Sequence, residues 1–290
     1  MNEPLEGNSS KLNFMFKNQK PVIVIKYGGN AMTEESLKTN VLQNICNLQE
    51  EGFHVVIVHG GGPFIQRILS QVNIESEFID GHRKTTKEAL KYVEMALKGE
   101  VNGSLVSMLN QIGQKAVGLS GKDGQLAIAT KRYHNKTING KVEKIDIGQV
   151  GDIVEINTEL ISLLLQNDYL PVVTCIAADK EGNEYNINAD MFAGHLAGAL
   201  SASQFIVLTD VDGLLMDKDD PSTIIRNLTI SETSELISNG TIQGGMIPKI
   251  ESCIVALKAG AHSSRIINGT KPQQITQLAE NKNIGTIISK

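Results

Sequence analysis

"PVIVIKYGG", residues 21–29, decides the fold. Val22, Ile23, Val24 and Ile25 are β-branched and apolar without interruption, the pattern of a strand covered on both faces. Lys26 closes the run, and Gly28 and Gly29 follow at once. A cation and bare backbone therefore stand together where a buried strand gives out, an ending that suits an anion.

Outward from this stretch, short apolar runs alternate with amphipathic ones. "HVVIVH" (54–59), "KAVGLS" (115–120), "LAIAT" (126–130), "LPVVTCIA" (170–177), "FIVLTD" (205–210), "SRIIN" (264–268) and "GTIIS" (285–289) read as strands. "PFIQRILSQV" (63–72) opens with a proline at its first helical position and puts Phe64, Ile65, Ile68, Leu69 and Val72 on one face. Residues 87–113 predict one long helix or two abutting ones, and 188–201 and 249–260 predict two more. This alternation argues for a mostly parallel, twisted sheet with helices on both sides. Residues 131–152 break the rhythm and read as hairpin and loop material inserted in the layer.

Composition narrows the class. The chain has 290 residues, 41% hydrophobic and 20% charged, with a net charge of -5 and no Lys/Arg block. Nucleic acid and anionic membranes are thereby excluded as main partners. Three cysteines, Cys46, Cys175 and Cys253, are far apart in apolar contexts and read as packed thiols in a reducing compartment. The six histidines show no HxxxH or HxxH spacing, so no protein-built metal site is expected. "MNEPLEGNSS" is unlike a signal peptide, and no apolar run approaches the roughly 20 residues that span a bilayer. A cytoplasmic protein is expected. Residues 1–20 read as a polar extension whose Leu12, Phe14, Met15 and Phe16 offer a docking or oligomer contact, and residues 21–290 as a single domain.

In open parallel sheets, ligands bind beyond the carboxyl ends of the strands. Two glycine-rich junctions fall there, Lys26-Tyr27-Gly28-Gly29 and His59-Gly60-Gly61-Gly62, the second leading into a helix whose N-terminal amides favour anions. Lys249, behind Gly244 and Gly245, falls in the first turn of a helix. A cation there opposes the dipole by about 0.3–1 kcal/mol unless an anion offsets it. The chain lacks a GxxxxGK[ST] loop, a dinucleotide fingerprint and the protein-kinase motif set. "GLSGKDG" (118–124) has neither the spacing nor the Ser/Thr of a phosphate loop. The phosphate chemistry belongs to another type of site.

"VIKYGGNAM", "VIVHGGGP", "DGHRKT", "VGLSGKDG", "YNINAD", "LTDVDGLL" and "GGMIPKIES" occur in that order across residues 21–290. Together they resemble the amino acid kinase family, within it the branch that phosphorylates N-acetyl-L-glutamate. The resemblance implies a three-layer α/β/α sandwich around a mostly parallel, eight-stranded sheet. It implies transfer of the ATP γ-phosphoryl to the side-chain carboxylate, the second step of arginine synthesis. A carboxylate is already ionised at neutral pH, so catalysis reduces to positioning and charge stabilisation, and the absence of a histidine or serine relay fits that need.

The same resemblance implies the roles. Lys26 and Lys249 become the transition-state cations, held by Asp190. Gly28 and Gly29 serve the phosphoryl oxygens, Gly61 and Gly62 serve phosphoryl and substrate, and Arg83 clamps the substrate α-carboxylate with a planar fork. Asn186 binds the acetamido group or the neighbouring backbone of the ligand, and Asn188 caps a helix or assists it. Asp210, Val211, Asp212, Gly213, Leu214 and Leu215, with Thr241, Ile242 and Gln243, contact the nucleotide. Mg²⁺ arrives with ATP, held largely by phosphates and water. The substrate lobe runs over about 21–180 and the nucleotide lobe over about 181–290. A homodimer is expected, or a hexamer where an N-terminal helix links dimers. Lys282, Asn283, Arg265 and Asn268 depart from the pattern of arginine-responsive members. Two alternatives share these motifs in part. A kinase of N-acetylaminoadipate differs by one methylene, worth only about 1–3 kcal/mol in a pocket. A non-catalytic ATP-binding sensor would typically lack Lys26, Lys249 or Asp190, and all three are present.

Overall fold

The computed structural model describes residues 20–290 except 80, 81, 139, 140, 218 and 279–282. The Leu12–Phe16 patch, the Asp80-Gly81 start of "DGHRKT" and Lys282 lie outside the described residues. Eight strands build the central sheet: β1 (Val22–Tyr27), β2 (His54–His59), β3 (Ala116–Ser120), β4 (Leu170–Thr174), β5 (Gln204–Thr209), β6 (Asn227–Thr229), β7 (Ser264–Asn268) and β8 (Thr286–Ser289). Their order is β6-β8-β7-β5-β1-β2-β4-β3. Every pairing is parallel except β7 with β8.

Nine helices among the described residues supply the crossovers and outer layers: α1 (Glu35–Glu50), α2 (Gly62–Gln71), α3 (Lys87–Glu94), α4 (Gly103–Gln111), α5 (Glu159–Gln166), α6 (Ala189–Ala199), α7 (Ile230–Ser238), α8 (Ile247–Ala259) and α9 (Gln273–Thr276). Residues 87–111 form one continuous rod, because α3 and α4 are joined by π-helical turns over Met95–Asn102 rather than by a break. The architecture is the expected α/β/α sandwich.

Strand side chains alternate between two cores, as a period of two requires. Ile23, Ile25, Val55 and Ile57 pack with α1 residues such as Leu42 and Ile45. Val24, Val56 and Val58 pack on the opposite face with Phe192 of α6 and Ile250 of α8. Covered on both sides, β1 and β2 need apolar residues at every step. Lys26 pairs in register with Val58 and Val207 and, two residues after Val24, shares the face of α6 and α8.

Residues 131–138 and 141–152 lie in the expected hairpin. Strands Ala127–Ile138 and Lys141–Ile156 pair antiparallel and close a four-stranded unit with Ile176–Ala178 and Glu184–Ile187. The predicted strand 170–177 divides here: β4 ends at Thr174, and Ile176–Ala178 turns into the small unit. All three cysteines are buried free thiols. Burial pushes Cys46 and Cys175 up to about 12, which makes them inert packing groups. No helix among the described residues is long and apolar enough to cross a membrane.

Candidate active site

The chemistry-bearing residues converge where β1, β2 and β5 end. Asn188, in extended conformation, accepts hydrogen bonds from the N–H groups of Asp190 (2.9 Å) and Met191 (3.1 Å), and so fixes the start of α6. Asp190 is thereby set in the first turn, at the positive end of the helix, where a carboxylate is favoured. It is 7% exposed, with Oδ1 3.1 Å from Lys26 Nζ and Oδ2 4.0 Å from Lys249 Nζ. Lys249, in the first turn of α8, also donates to the Gly245 carbonyl at 3.2 Å. One buried acid thus spans two ammonium groups, each with further donors to spend on a ligand. The two lysines face a common cavity of about 200 Å³ with Gly28, Gly29, Leu208, Thr209 and Asp210.

What brings α6 and α8 together is absent from the expected site. A methyl group on Gly194 would stand 2.5 Å from the Ser252 carbonyl oxygen, and one on Gly198 2.3 Å from Ala259 Cβ. The helices cross on bare backbone. The signal in the sequence is Gly194-x-x-x-Gly198, one helical face.

The second glycine junction leads from β2 into α2, with Pro63 in its first turn. Gly61 and Gly62 open that helix, where no carbonyl lies a turn behind to receive their N–H groups. Arg83, on the short strand His82–Lys84, donates to Gln66 Oε1 at 2.9 Å, to Ser76 Oγ, and to the Gly62 carbonyl at 3.5 Å. Its guanidinium lies 4.5 Å from the Phe78 ring centroid. Among the described residues no carboxylate pairs with it, and burial lowers its pKa. An arginine held by neutral acceptors keeps its charge unspent. Asn186 Nδ2 donates weakly to Thr85 Oγ1 at 3.5 Å, and Thr85 Oγ1 donates to the Arg83 carbonyl at 2.9 Å. Gly62, Arg83 and Asn186 are thus linked through Thr85, and the neighbouring Gly60 packs close to the start of α6, where a Cβ on it would lie 3.3 Å from Ala189 Cβ.

A larger cavity, about 560 Å³, lies beyond β5. Val211, Gly213, Leu214, Leu215, Thr241, Ile242 and Gln243 all line it, joined by Met216, Asp217, Gly240 and Met246, which sequence reasoning did not single out. Its size suits a small-molecule ligand, and two methionines give adaptable apolar walls. Asp210 lines the lysine cavity instead. Asp212 lines neither: it accepts from Lys271 Nζ (2.7 Å), Asn268 Nδ2 (3.0 Å) and Gln274 Nε2 (3.4 Å). The hydrogen bond from Lys271 holds its carboxyl below the ordinary aspartate range. It ties the cavity loop to the end of β7. Among the described residues no group of three or more His, Cys, Asp or Glu could hold a metal ion.

Paired cations over glycine amides, beside a nucleotide-sized hollow, define a protein that handles phosphoryl groups. The chain belongs to the amino acid kinase family, whose model matches residues 21–268. It is 45% identical over 280 residues to the acetylglutamate kinase of Methanococcus aeolicus, covering 96% of this chain and 95% of that protein. The acetylglutamate kinase of Methanocaldococcus jannaschii is 44% identical, with 100% and 97% covered. Among solved structures, smu.665 from Streptococcus mutans UA159 superimposes with a TM-score of 0.73 at 32% identity, covering 93% of this chain and 99% of that one.

Proposed function

We propose that the chain transfers the γ-phosphoryl group of ATP to the side-chain carboxylate of N-acetyl-L-glutamate, giving the acyl phosphate and ADP, as in the second step of arginine synthesis. The observation that carries this reading is the buried Asp190 between Lys26 and Lys249, the two lysines themselves lining one cavity. Relatives above 40% identity that bear the acetylglutamate kinase name support the choice of acceptor.

The reaction brings an anionic nucleophile to an anionic phosphoryl group, and the residues answer that repulsion. A carboxylate oxygen attacks phosphorus, the bond to the β-phosphate bridging oxygen breaks, and no proton moves. Lys26 and Lys249 oppose the charge that builds on the transferring oxygens, while Gly28, Gly29, Gly61 and Gly62 supply amides. Asp190 holds the two ammonium groups at their separation, so little reorganisation remains for the transition state. Arg83 grips the α-carboxylate and Asn186 the acetamido group. The loops containing Val211–Leu215 and Thr241–Gln243 enclose the nucleotide, with Asp210 at the phosphate end. Mg²⁺ would arrive with ATP as part of that substrate and would supply neutralising charge at the phosphates. The N-terminal lobe, about residues 21–180, takes the acceptor and the C-terminal lobe, about 181–290, the nucleotide. The working form is a homo-oligomer.

ATP-dependent acyl phosphate trapping with hydroxylamine tests the assignment against N-acetylglutamate, glutamate, aspartate and N-acetylaminoadipate. Product is expected with N-acetylglutamate. Preference for glutamate, or for the longer N-acetylaminoadipate, overturns the choice of acceptor.

A further inference from the structure

We propose that His59 and Asn102 form a buried positioning relay that sets the Gly60–Gly61 peptide and so aims the Gly61 N–H at the transferring group, an inference that rests on the kinase reading above. His59 ends β2 and is fully buried, and Asn102 is 2% exposed. His59 Nδ1 lies 2.9 Å from the Gly60 carbonyl oxygen, and His59 Nε2 lies 2.9 Å from Asn102 Nδ2. Asn102 Nδ2 also lies 2.9 Å from the Val172 carbonyl oxygen. A carbonyl only accepts, so one amide hydrogen goes to Val172 and the other to the ring. Nε2 is therefore the acceptor, and the ring proton sits on Nδ1, donating to Gly60. Each atom in the chain of contacts has one possible role.

Gly60 is held from both sides, since its N–H donates to the Tyr27 carbonyl at 3.3 Å, on the strand that carries Lys26. The peptide is trans, so a carbonyl turned onto the imidazole turns the Gly61 N–H the opposite way. Gly61 is wedged as well: a Cβ there would stand 2.8 Å from Leu97 Cδ2 and 3.2 Å from Val101 Cγ2. Leu97, Val101 and Asn102 all belong to the π-helical turns, an irregularity common at functional sites. Across the relay, a Cβ on Gly118 would come 2.0 Å from Asn102 Oδ1, so only glycine in β3 leaves room for the amide. Two polar side chains, an irregular helix and a bare strand position are spent on the orientation of one peptide. An all-apolar core would avoid the desolvation cost of both side chains.

The test compares wild type, His59→Leu and His59→Asn in the hydroxylamine assay, with thermal unfolding alongside. The leucine variant lacks any donor, whereas the asparagine amide occupies the place of Nδ1 and can donate to Gly60. His59→Leu is expected to lower kcat roughly tenfold to a hundredfold with both KM values near wild type, and His59→Asn to restore most of it. Wild-type turnover in His59→Leu overturns the relay, as does an equally slow, equally stable His59→Asn. If the leucine variant does not fold, Asn102→Ser reports instead, since it keeps the ring but loses the fixed donor. A fall in kcat supports the relay and an unchanged kcat overturns it. A wild-type protein inactive on N-acetylglutamate overturns the kinase reading itself, while an active wild type with indifferent variants overturns the relay alone.

Discussion

Asp190 shows how far one side chain can shape a site. Removing it would strand Lys26, itself 7% exposed, without a counter-charge, at a cost of about 3–5 kcal/mol. Such a variant would confound folding with catalysis, so the lysines are the better probes. On the proposed mechanism, in which their charge acts where charge develops, Lys26→Ala and Lys249→Ala should each lower kcat by roughly 10²–10³-fold with little change in KM. Steady-state kinetics decide, and a near-normal kcat in either variant removes that lysine from the transition state. Arg83 calls for a different outcome. Lysine keeps the charge but not the planar guanidinium, whose Nη1 now reaches Gln66 and Ser76 and whose Nη2 reaches the Gly62 carbonyl. Arg83→Lys should raise the KM for N-acetylglutamate by about tenfold, equivalent to roughly 1.4 kcal/mol, with kcat largely kept. An unchanged KM would mean that another group holds the α-carboxylate.

At the level of elements, the 4.0 Å separation of Lys249 from Asp190 is a consequence of how α6 meets α8. A Gly194→Ala methyl would press on the Ser252 backbone at 2.5 Å, and backbone cannot turn aside as a side chain can. The helices must part, at a cost of about 1–3 kcal/mol. The expectation is a lower melting temperature together with a kcat loss, although Gly194 lines neither the lysine cavity nor the larger one beyond β5. A stable variant with full turnover would show that the crossing does not set the pair. This contact was written in the sequence as Gly194 and Gly198 four residues apart, yet what they approach depends on a helix more than fifty residues away. The strands of the central layer were easier to read. β1, β2, β4, β5 and β7 are apolar at consecutive positions because two cores claim them, and the nine-residue opening stretch displays that directly. β6 carried no such mark: three residues long, with Leu228 alone buried, it joins the sheet through its neighbours rather than through its own pattern. The rod over 87–111 was legible as helix, but its π-helical turns were not, since they end on Asn102, whose partners His59 and Val172 are distant in the chain.

Over the whole molecule, residues from Lys26 to Lys249 meet at one sheet edge because parallel strands all finish there, and the motifs that mark this edge were legible in order along the chain. The relay beneath it was not, because His59 and Asn102 are 43 residues apart and neither carries a charge to announce it. The same buried ring gives the molecule a pH signature. Burial lowers His59 from 6.5 to about 4, and it also lowers His54 and His195. In the unfolded chain these rings take up protons near pH 6.5, while in the folded chain His59 resists until about pH 4. The stability this confers is complete above about pH 6.5 and is lost as pH falls through the window to the folded pKa. For His59 the difference of 2.5 corresponds to roughly 3 kcal/mol. Carboxylates held low, such as Asp123 and Asp212, have the same sign but act below about pH 4, where their unfolded forms protonate. Urea unfolding between about pH 7 and about pH 4.5 should therefore show a steady decline before the carboxylates contribute. His59→Asn, which cannot titrate, should flatten most of that decline while starting from lower stability at neutral pH. A variant whose curve runs parallel to wild type across this window would mean that the ring is not held neutral, and the assignment of its proton to Nδ1 would fall with it.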